Sequence, residues 1–407
     1  MPRVIFHIDV NSAFLSWTAV KLLSEGGERD IRTVPSVVSG DPDDRRSIIA
    51  AASIPAKKMG IKTAMPLSSA LRTCPSLVVV KGDWEWYSRC SVAFISICRT
   101  FSPVLQQFSI DECFLDMTGR IPAGKDPVEV ASALKDRVRD ELGFTVNVGV
   151  GPSKLLAKMA SDFEKPDKVH TLWEEEVPEK MWPLRVRDLL WVGKKTEEKL
   201  TAYGINTIGQ LSALPESALK GLFGDKFGTQ LYLSSHGIDP SPVETQIPPA
   251  KSYSAERTFV RDITDAQQLD RELFKIACTV CHRLRKDSCR SQCVSVFLKE
   301  SDFSVMQKQM TLDRSTDVTA VVLGACRKLV EELWDTKTPL RQAGISLSKL
   351  SYGGEYQLYL FEDPKMEYYL QWDREYDEKM ARSEDPRTVM LQEKRRSPGP
   401  DDGEVGK

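Results

Sequence analysis

Both halves of this 407-residue chain are expected to adopt α+β folds, with a helical segment between them. Three observations carry the expectation. Strand-like and helical runs intermingle over residues 3–170, which predicts a domain built on a mostly antiparallel sheet. From about 173 to 237 only short helices are legible. Residues 251–351 then read as strand, helix, strand, strand, helix, strand. The length agrees, since a chain of this size is expected to divide into about two to four domains.

In order along the chain, RVIFHIDV (3–10) is a buried strand and AFLSWTAVKLLSEG (13–26) a helix closed by Gly26 and Gly27. Residues 34–53 give a strand, a turn and a strand. Short helices follow at 56–60 and 66–75, punctuated by Gly60 and Pro75. LVVVKG (77–82) is a strand and 84–102 an amphipathic helix. VLQQFSI (104–110) and CFLDMTG (113–119) are strands that meet at a pair of acids. Residues 126–143 form a helix capped by Asp126 and ended by Gly143. FTVNVGVG (144–151) is a strand and 153–166 a helix. Within 189–214, a helix, a tight glycine turn and a helix occur twice over. ETQIPPAKS (244–252) is a linker by composition. Beyond Tyr352 the chain turns polar and acidic. A helix is placed near 365–380, and the terminus RRSPGPDDGEVGK reads as disordered.

Composition excludes little. Lys and Arg number 56 against 58 Asp and Glu, for a net charge of −2, and this balance neither demands nor forbids a nucleic-acid partner. No apolar run approaches the ~20 residues of a membrane span. The N-terminus lacks a signal-peptide layout, so the cytoplasm is the expected compartment and no membrane partner is expected. The nine cysteines are scattered and odd in number, and read as reduced thiols. Cys278, Cys281, Cys289 and Cys293 do not match zinc spacing and read as packing. Trp84, Trp86, Trp173, Trp182 and Trp191 are read the same way.

The chemistry concentrates at FSIDECFLD (108–116), where Asp111 and Glu112 stand side by side. Adjacent strand residues face opposite ways, so two neighbouring carboxylates can serve one site only where the chain bends. A surface turn is the bland reading and a metal site the sharp one. Asp9 ends the N-terminal strand and supplies a third carboxylate. Three carboxylates at strand ends suit Mg²⁺, which takes oxygen ligands and shares them with substrate phosphates. Two such ions can clamp the attacking and leaving oxygens of a phosphoryl transfer. Lys154 and Lys158, four apart, lie on one helix face, where they could hold a triphosphate. Lys57 and Lys58 form a second cationic pair. Each lysine alone is more often a solvated charge. The turn Val192-Gly193-Lys194-Lys195-Thr196 reads as a helix-hairpin-helix, whose backbone N–H groups face a phosphate. Lys194, Lys195 and Lys199 add charge. Such a motif grips the duplex backbone without reading sequence; an ordinary αα-hairpin is the alternative.

HIDVNSAF, IPAKKMGIKTAM, FSIDECFLD, GVGPSKLLAKMASDFEKP and the 189–214 hairpins occur in that order. Together they make the chain resemble the Y-family translesion DNA polymerases, closest to their bacterial DNA polymerase IV branch, over residues 3 to 350. The resemblance implies a right hand: a ferredoxin-like palm (1–11 and 80–170), small fingers (12–79), a helical thumb with the helix-hairpin-helix (171–240), a linker (241–250) and an α+β little finger (251–351). A tail would follow (352–407). It implies that Asp9, Asp111 and Glu112 are the catalytic, metal-binding carboxylates, with the Val10 carbonyl as a further ligand. The cofactor would be two Mg²⁺, with Mn²⁺ as a substitute. Phe14 matches the steric gate beneath the sugar, Lys158 matches the lysine that contacts the triphosphate, and Ser109 sits beside the carboxylates as in the family. The partners would be primer-template DNA and dNTPs, and the protein would act as a monomer. Ala50, Ala51 and Ala52 would leave the nascent base pair loosely enclosed, which tolerates damage and costs fidelity. Nothing in the chain looks like a proofreading exonuclease.

Two departures stand out. The family's Tyr-x-x-Arg over the triphosphate is Ile54 and Lys57 here, so the charge is kept but the bidentate fork is lost. Ala13 stands where an aromatic residue often precedes the gate. Outside the core of the resemblance, Gln357, Leu358, Leu360 and Phe361 resemble the QL-x-LF pentapeptide that docks on the bacterial sliding clamp, its apolar side chains entering a groove. A final edge strand is the alternative. The rival to an enzyme is a catalytically silent relative that binds DNA and clamp as an adaptor. Such a relative would be expected to lose the carboxylates, and all three are present; Ile54 and Lys57 alone lend it weight.

Overall fold

The computed structural model of the protein describes residues 2–41, 46–246, 248–352 and 365–382. The acidic terminus read as disordered and the pentapeptide at 357–361 lie outside these residues. The chain divides into two compact units, Met1–Ile247 and Pro248–Lys407.

The first unit is built on a five-stranded sheet. In chain order its first elements are β1 (Ile5–Val10), α1 (Ala13–Ser24), β2 (Ser36–Ser39), β3 (Ile49–Ala52), α2 (Ile54–Lys58), α3 (Leu67–Thr73), β4 (Val78–Lys81) and α4 (Trp84–Phe101). They are followed by β5 (Leu105–Gln107), β6 (Glu112–Asp116), α5 (Pro127–Leu142), β7 (Val146–Gly151), α6 (Lys154–Ser161) and β8 (Val169–Thr171). The sheet order is β5-β6-β1-β7-β8, antiparallel except for the β7–β8 pair. The β1 sequence IFHIDV explains how it is covered. Phe6, Ile8 and Val10 join Cys113, Leu115, Val146, Val148 and Val150 in a core shared with residues of α4 and α5. Ile5, His7 and Asp9 point the other way, as strand alternation requires, and are paired with Asp116, Phe114 and Glu112. On that second face lies α6.

Two glycines let α6 lie there. A Cβ on Gly149 would stand 1.9 Å from the Ala157 carbonyl oxygen, and one on Gly151 would stand 3.0 Å from Ala157 N. α5 follows its sequence signals: Asp126 and Glu129 form a capping box, and Gly143 closes the helix at φ 74°. α6 does not follow the expected 153–166 span, because it ends at Ser161. The buried Asn147 side chain donates to the carbonyls of Ser161 (3.0 Å) and Glu164 (2.6 Å), and Pro166 cannot continue a helix. Residues 162–168 therefore turn back toward β1. Separately, β2, β3 and β4 form a small sheet of their own over a core of Val37, Ile49, Ala52, Ile61 and Leu67.

Four short helices complete the unit: α7 (Lys194–Ala202), α8 (Ile208–Ser212), α9 (Glu216–Phe223) and α10 (Asp225–Ser235). Gly193 caps α7 and Gly204, at φ 77°, lets the chain leave it; Thr207 and Gln210 form a capping box on α8.

The second unit has the expected order: β9 (Ser252–Ile263), α11 (Ala266–Lys286), β10 (Cys289–Glu300), β11 (Val305–Thr316), α12 (Thr319–Leu333) and β12 (Leu340–Tyr352). Its sheet is fully antiparallel, ordered β11-β10-β12-β9, with α11 and α12 on one face. The open face carries Ser252, Ser254, Ser346, Gln307 and Gln309. A further helix, α13 (Met366–Arg382), packs on α11 and α12. All nine cysteines are buried and none is in a disulfide. Among the described residues no helix is long and apolar enough to cross a membrane.

Candidate active site

The acidic pair does sit at a bend. Phe108 N and Ser109 N both donate to the Glu112 carbonyl (3.0 and 3.2 Å), which closes the β5–β6 tip. Asp111 belongs to the tip and Glu112 is the first residue of β6. Val10 N donates to the Asp111 carbonyl (3.0 Å), which folds the tip over the end of β1. Asp9 and Glu112 are direct cross-strand partners, so their side chains share the α6 face. Each side chain is only 16% exposed, which leaves both carboxylates in a poorly hydrated setting.

Two ammonium groups reach them. Lys158, carried by α6, donates to Glu112 Oε2 at 2.5 Å. Lys165, on the turn that ends α6, pairs with Asp9 and with Asp162. Burial opposes charge on Glu112, but hydrogen bonds from His7 and Lys158 and the charge of Lys158 outweigh it, holding its pKa at about 2. For Asp9 burial prevails over Lys165, and its pKa stands above the ordinary value. The Asp111 carboxylate accepts from Ser109 Oγ at 2.6 Å. Among the described residues no three His, Cys, Asp or Glu side chains are already drawn into a closed metal cage.

Lys57 comes from α2 and donates to Ser12 Oγ (2.9 Å), at the turn between β1 and α1. Burial and the charge of Lys165 lower its pKa. Phe14, in the first turn of α1, stacks on Tyr87 (centroids 4.9 Å) and meets the edge of Trp84 (5.1 Å). Ile54 is exposed, on the same short helix as Lys57. Lys154 lies elsewhere: it donates to Gln106 Oε1 on β5 (3.1 Å) and stands over Phe114. In the helix-hairpin-helix, Lys194 and Lys195 are exposed, but Lys199 is engaged by the Leu222 carbonyl and the Phe223 ring. Trp84 and Trp191 depart from the packing expectation, at 64% and 55% exposed.

Three participants were not legible in the sequence. His7 contacts Glu112, Lys165 contacts Asp9, and Asn147 holds the turn that presents Lys165. Asn147 Oδ1 also accepts from Asn11 Nδ2 and Lys168 N, so its four hydrogen-bonding positions are filled. A polar residue at an inward position of an apolar strand, two places from a carboxylate, was the available signal for His7. The donor set fits a hard divalent cation: every candidate ligand is oxygen, and Lys158 and Lys165 already place positive charge on Asp9 and Glu112.

Comparison with known proteins agrees. The profile of the impB/mucB/samB family matches residues 8–162, and that of its C-terminal domain matches 250–360. The thumb domain profile of DNA polymerase iota matches 187–239. The DNA polymerase IV of Clostridium acetobutylicum is 39% identical over 363 residues, covering 89% of this chain and 91% of that protein. DNA polymerase IV 1 of Bacillus subtilis is 33% identical over 345 residues, covering 84% and 81%. A solved Y-family DNA polymerase chimera, Dbh-Dpo4(243-245)-Dbh, matches the fold with a TM-score of 0.75 at 20% identity, over 86% of this chain and 100% of that one. With acidic strand ends, helical thumb and C-terminal sheet domain matched by family and fold alike, the chain belongs to the impB/mucB/samB family of Y-family translesion DNA polymerases.

Proposed function

We propose that the chain extends a primer on a DNA template by two-metal nucleotidyl transfer, with low fidelity and without proofreading. The family's chemistry depends on a divalent metal. The observation that supports this site for it is the register of Asp9 against Glu112, with Lys158 and Lys165 on the pair. Asp9, Asp111 and Glu112, with the Val10 carbonyl, would hold two Mg²⁺, or Mn²⁺ in their place. Bound there, the ions supply Lewis-acid activation of the primer 3′-OH and neutralise charge at the phosphates. Lys158, Lys165 and Lys57 gather positive charge around the end of β1, where the dNTP triphosphate would lie. Phe14, braced by Tyr87 and Trp84, would sit beneath the sugar and exclude a ribose 2′-OH. The chain's own contribution is positioning and preorganised charge. Gly193, Lys194 and Lys195 would hold the duplex backbone. Gln357, Leu358, Leu360 and Phe361 would dock on the sliding clamp, which raises the local concentration of a weakly processive enzyme at primer ends. The protein would act as a monomer in the cytoplasm.

Primer extension with purified protein, primed template, four dNTPs and Mg²⁺ tests the reading. Extension is expected from the wild type and none from the Asp111→Ala, Glu112→Ala variant. A wild-type protein that binds primed DNA yet extends nothing would overturn it.

A further inference from the structure

We propose that His7 is a positioning residue for Glu112: its buried imidazole fixes one carboxylate oxygen, so that the side chain stays aimed at the metals whatever Lys158 does. The proposal rests on Glu112 being a metal-binding carboxylate.

His7 lies two residues before Asp9 on β1 and so shares its face, opposite Phe114, whose ring centroid is 4.7 Å away. The side chain is fully buried. Nε2 is 3.0 Å from Glu112 Oε2 and Nδ1 is 2.8 Å from Ser161 Oγ. An ionised carboxylate only accepts, so Nε2 carries the proton in either charge state of the ring. In the neutral ring Nδ1 is then an acceptor facing the Ser161 hydroxyl. That hydroxyl has one proton, which can go to neutral Nδ1 or to the Lys158 carbonyl oxygen, 2.8 Å from Oγ, but not to both at once; either way Ser161 sets the Nδ1 edge of the imidazole against the turn of α6 that carries Lys158. The Ser161–His7–Glu112 order resembles a nucleophilic triad, but Ser161 is wholly buried and touches no open space. The chain of contacts therefore orients and does not attack.

The side-chain hydrogen bonds to Glu112 come from His7 and Lys158, and both end on Oε2. The two donors differ in freedom. Lys158 has a long flexible stem and is shared with the incoming triphosphate in the proposed function. His7 is locked between two strands and α6, and touches no substrate. When Lys158 turns to a phosphate, His7 is the donor that still holds Oε2 and leaves the other oxygen for a cation. Partners of ligating carboxylates typically matter for metal affinity by about 10- to 100-fold.

The test uses the full chain bound to a dideoxy-terminated primer-template and the matching dNTP. Bound Mn²⁺ is measured by electron paramagnetic resonance, half-saturating Mg²⁺ by single-nucleotide insertion on an extendable primer, and folding by Tm in metal-free buffer. His7→Leu is expected to weaken Mn²⁺ binding and raise half-saturating Mg²⁺ by about 10-fold. His7→Gln, whose amide N–H still donates, is expected to recover most of that loss at a Tm similar to that of His7→Leu. Unchanged Mn²⁺ binding in His7→Leu, or equal weakening in the Leu and Gln variants, would overturn the proposal. Should His7→Leu fail to fold, Ser161→Ala decides. It keeps the imidazole but frees Nδ1, and is expected to shift Mn²⁺ binding the same way by less; no shift overturns the proposal. Glu112→Gln separates the two levels. If it loses Mn²⁺ while His7→Leu does not, only the positioning role fails; if it binds Mn²⁺ normally, the metal-ligand reading of Glu112 fails.

Discussion

Asp9 and Glu112 face each other across one ladder, yet their surroundings drive their ionisation apart. Burial disfavours charge on both. On Glu112, hydrogen bonds from His7 and Lys158 reverse the balance and bring the pKa to about 2; on Asp9, Lys165 offsets burial only in part and the pKa is raised. The signs follow. Glu112, depressed from an ordinary 4.5, contributes stability above that value and loses it as pH falls toward about 2. Asp9, raised from an ordinary 3.8, contributes stability below that value and loses it as pH rises through the shifted pKa, so at neutral pH its charge is a cost. In metal-free buffer at pH 7, Asp9→Asn is therefore expected to raise Tm and Glu112→Gln to lower it by a few degrees, although both abolish primer extension. Differential scanning calorimetry on the two variants checks the directions. A lower Tm for Asp9→Asn would mean that the Lys165 pair outweighs burial.

Elements are legible where local chemistry determines them and illegible where a distant side chain does. Asp126, Glu129 and Gly143 mark α5 within one stretch of sequence, and the helix spans what they predict. The end of α6 is set by Asn147 from β7, and the turn that results delivers Lys165 to Asp9, 156 residues away in sequence. His7 and Ser161 are likewise 154 apart. Periodicity reports on neighbours three or four residues away, so the carboxylates and Lys158 could be named from their motifs while His7 and Lys165, which also tune them, could not. The thumb shows the same division. Lys194, Lys195 and Lys199 read alike and all three are exposed, but the fold ties the Lys199 ammonium to the Leu222 carbonyl and the Phe223 ring, while Lys194, 3.7 Å from Glu198, and Lys195 stand beside the Gly193 turn. Lys194→Gln, Lys195→Gln is expected to weaken primer-template binding equally on unrelated sequences. It should also reduce the slope of log K against log salt by about 2, near 0.9 per phosphate contact. Lys199→Gln should leave the slope unchanged. Fluorescence anisotropy across a KCl series measures both.

At the scale of the molecule, the sequence conveys two α+β folds and a helical segment, but it assigns α13 no place. The fold makes it part of the second unit. Tyr376 is buried against Cys278. Asp377 takes Arg285 in a two-point grip (2.6 and 2.8 Å) and accepts from His282. Asp373, 2% exposed, accepts from Thr319 N (3.0 Å) and Thr319 Oγ1 (2.5 Å) and lies 3.2 Å from Arg285. Thr319 opens α12, whose own N-cap residue, Val318, offers no side-chain cap. Asp373 thus caps α12 from another helix and places a carboxylate at its positive end. Two contributions are separable here, the cap and the charge. Asp373→Ala removes both and leaves Thr319 N without its cap, while Arg285 keeps Asp377, a loss of about 1–3 kcal/mol. Asp373→Asn keeps an oxygen for Thr319 N and loses only charge, and because burial raises the pKa of that carboxyl its charge, like that of Asp9, is a net cost at neutral pH. Thermal unfolding of the full chain is expected to show the second unit's transition falling well below wild type in Asp373→Ala and staying at or above wild type in Asp373→Asn. An Asp373→Ala protein that unfolds like wild type would make α13 an appendage instead of a structural helix of the domain.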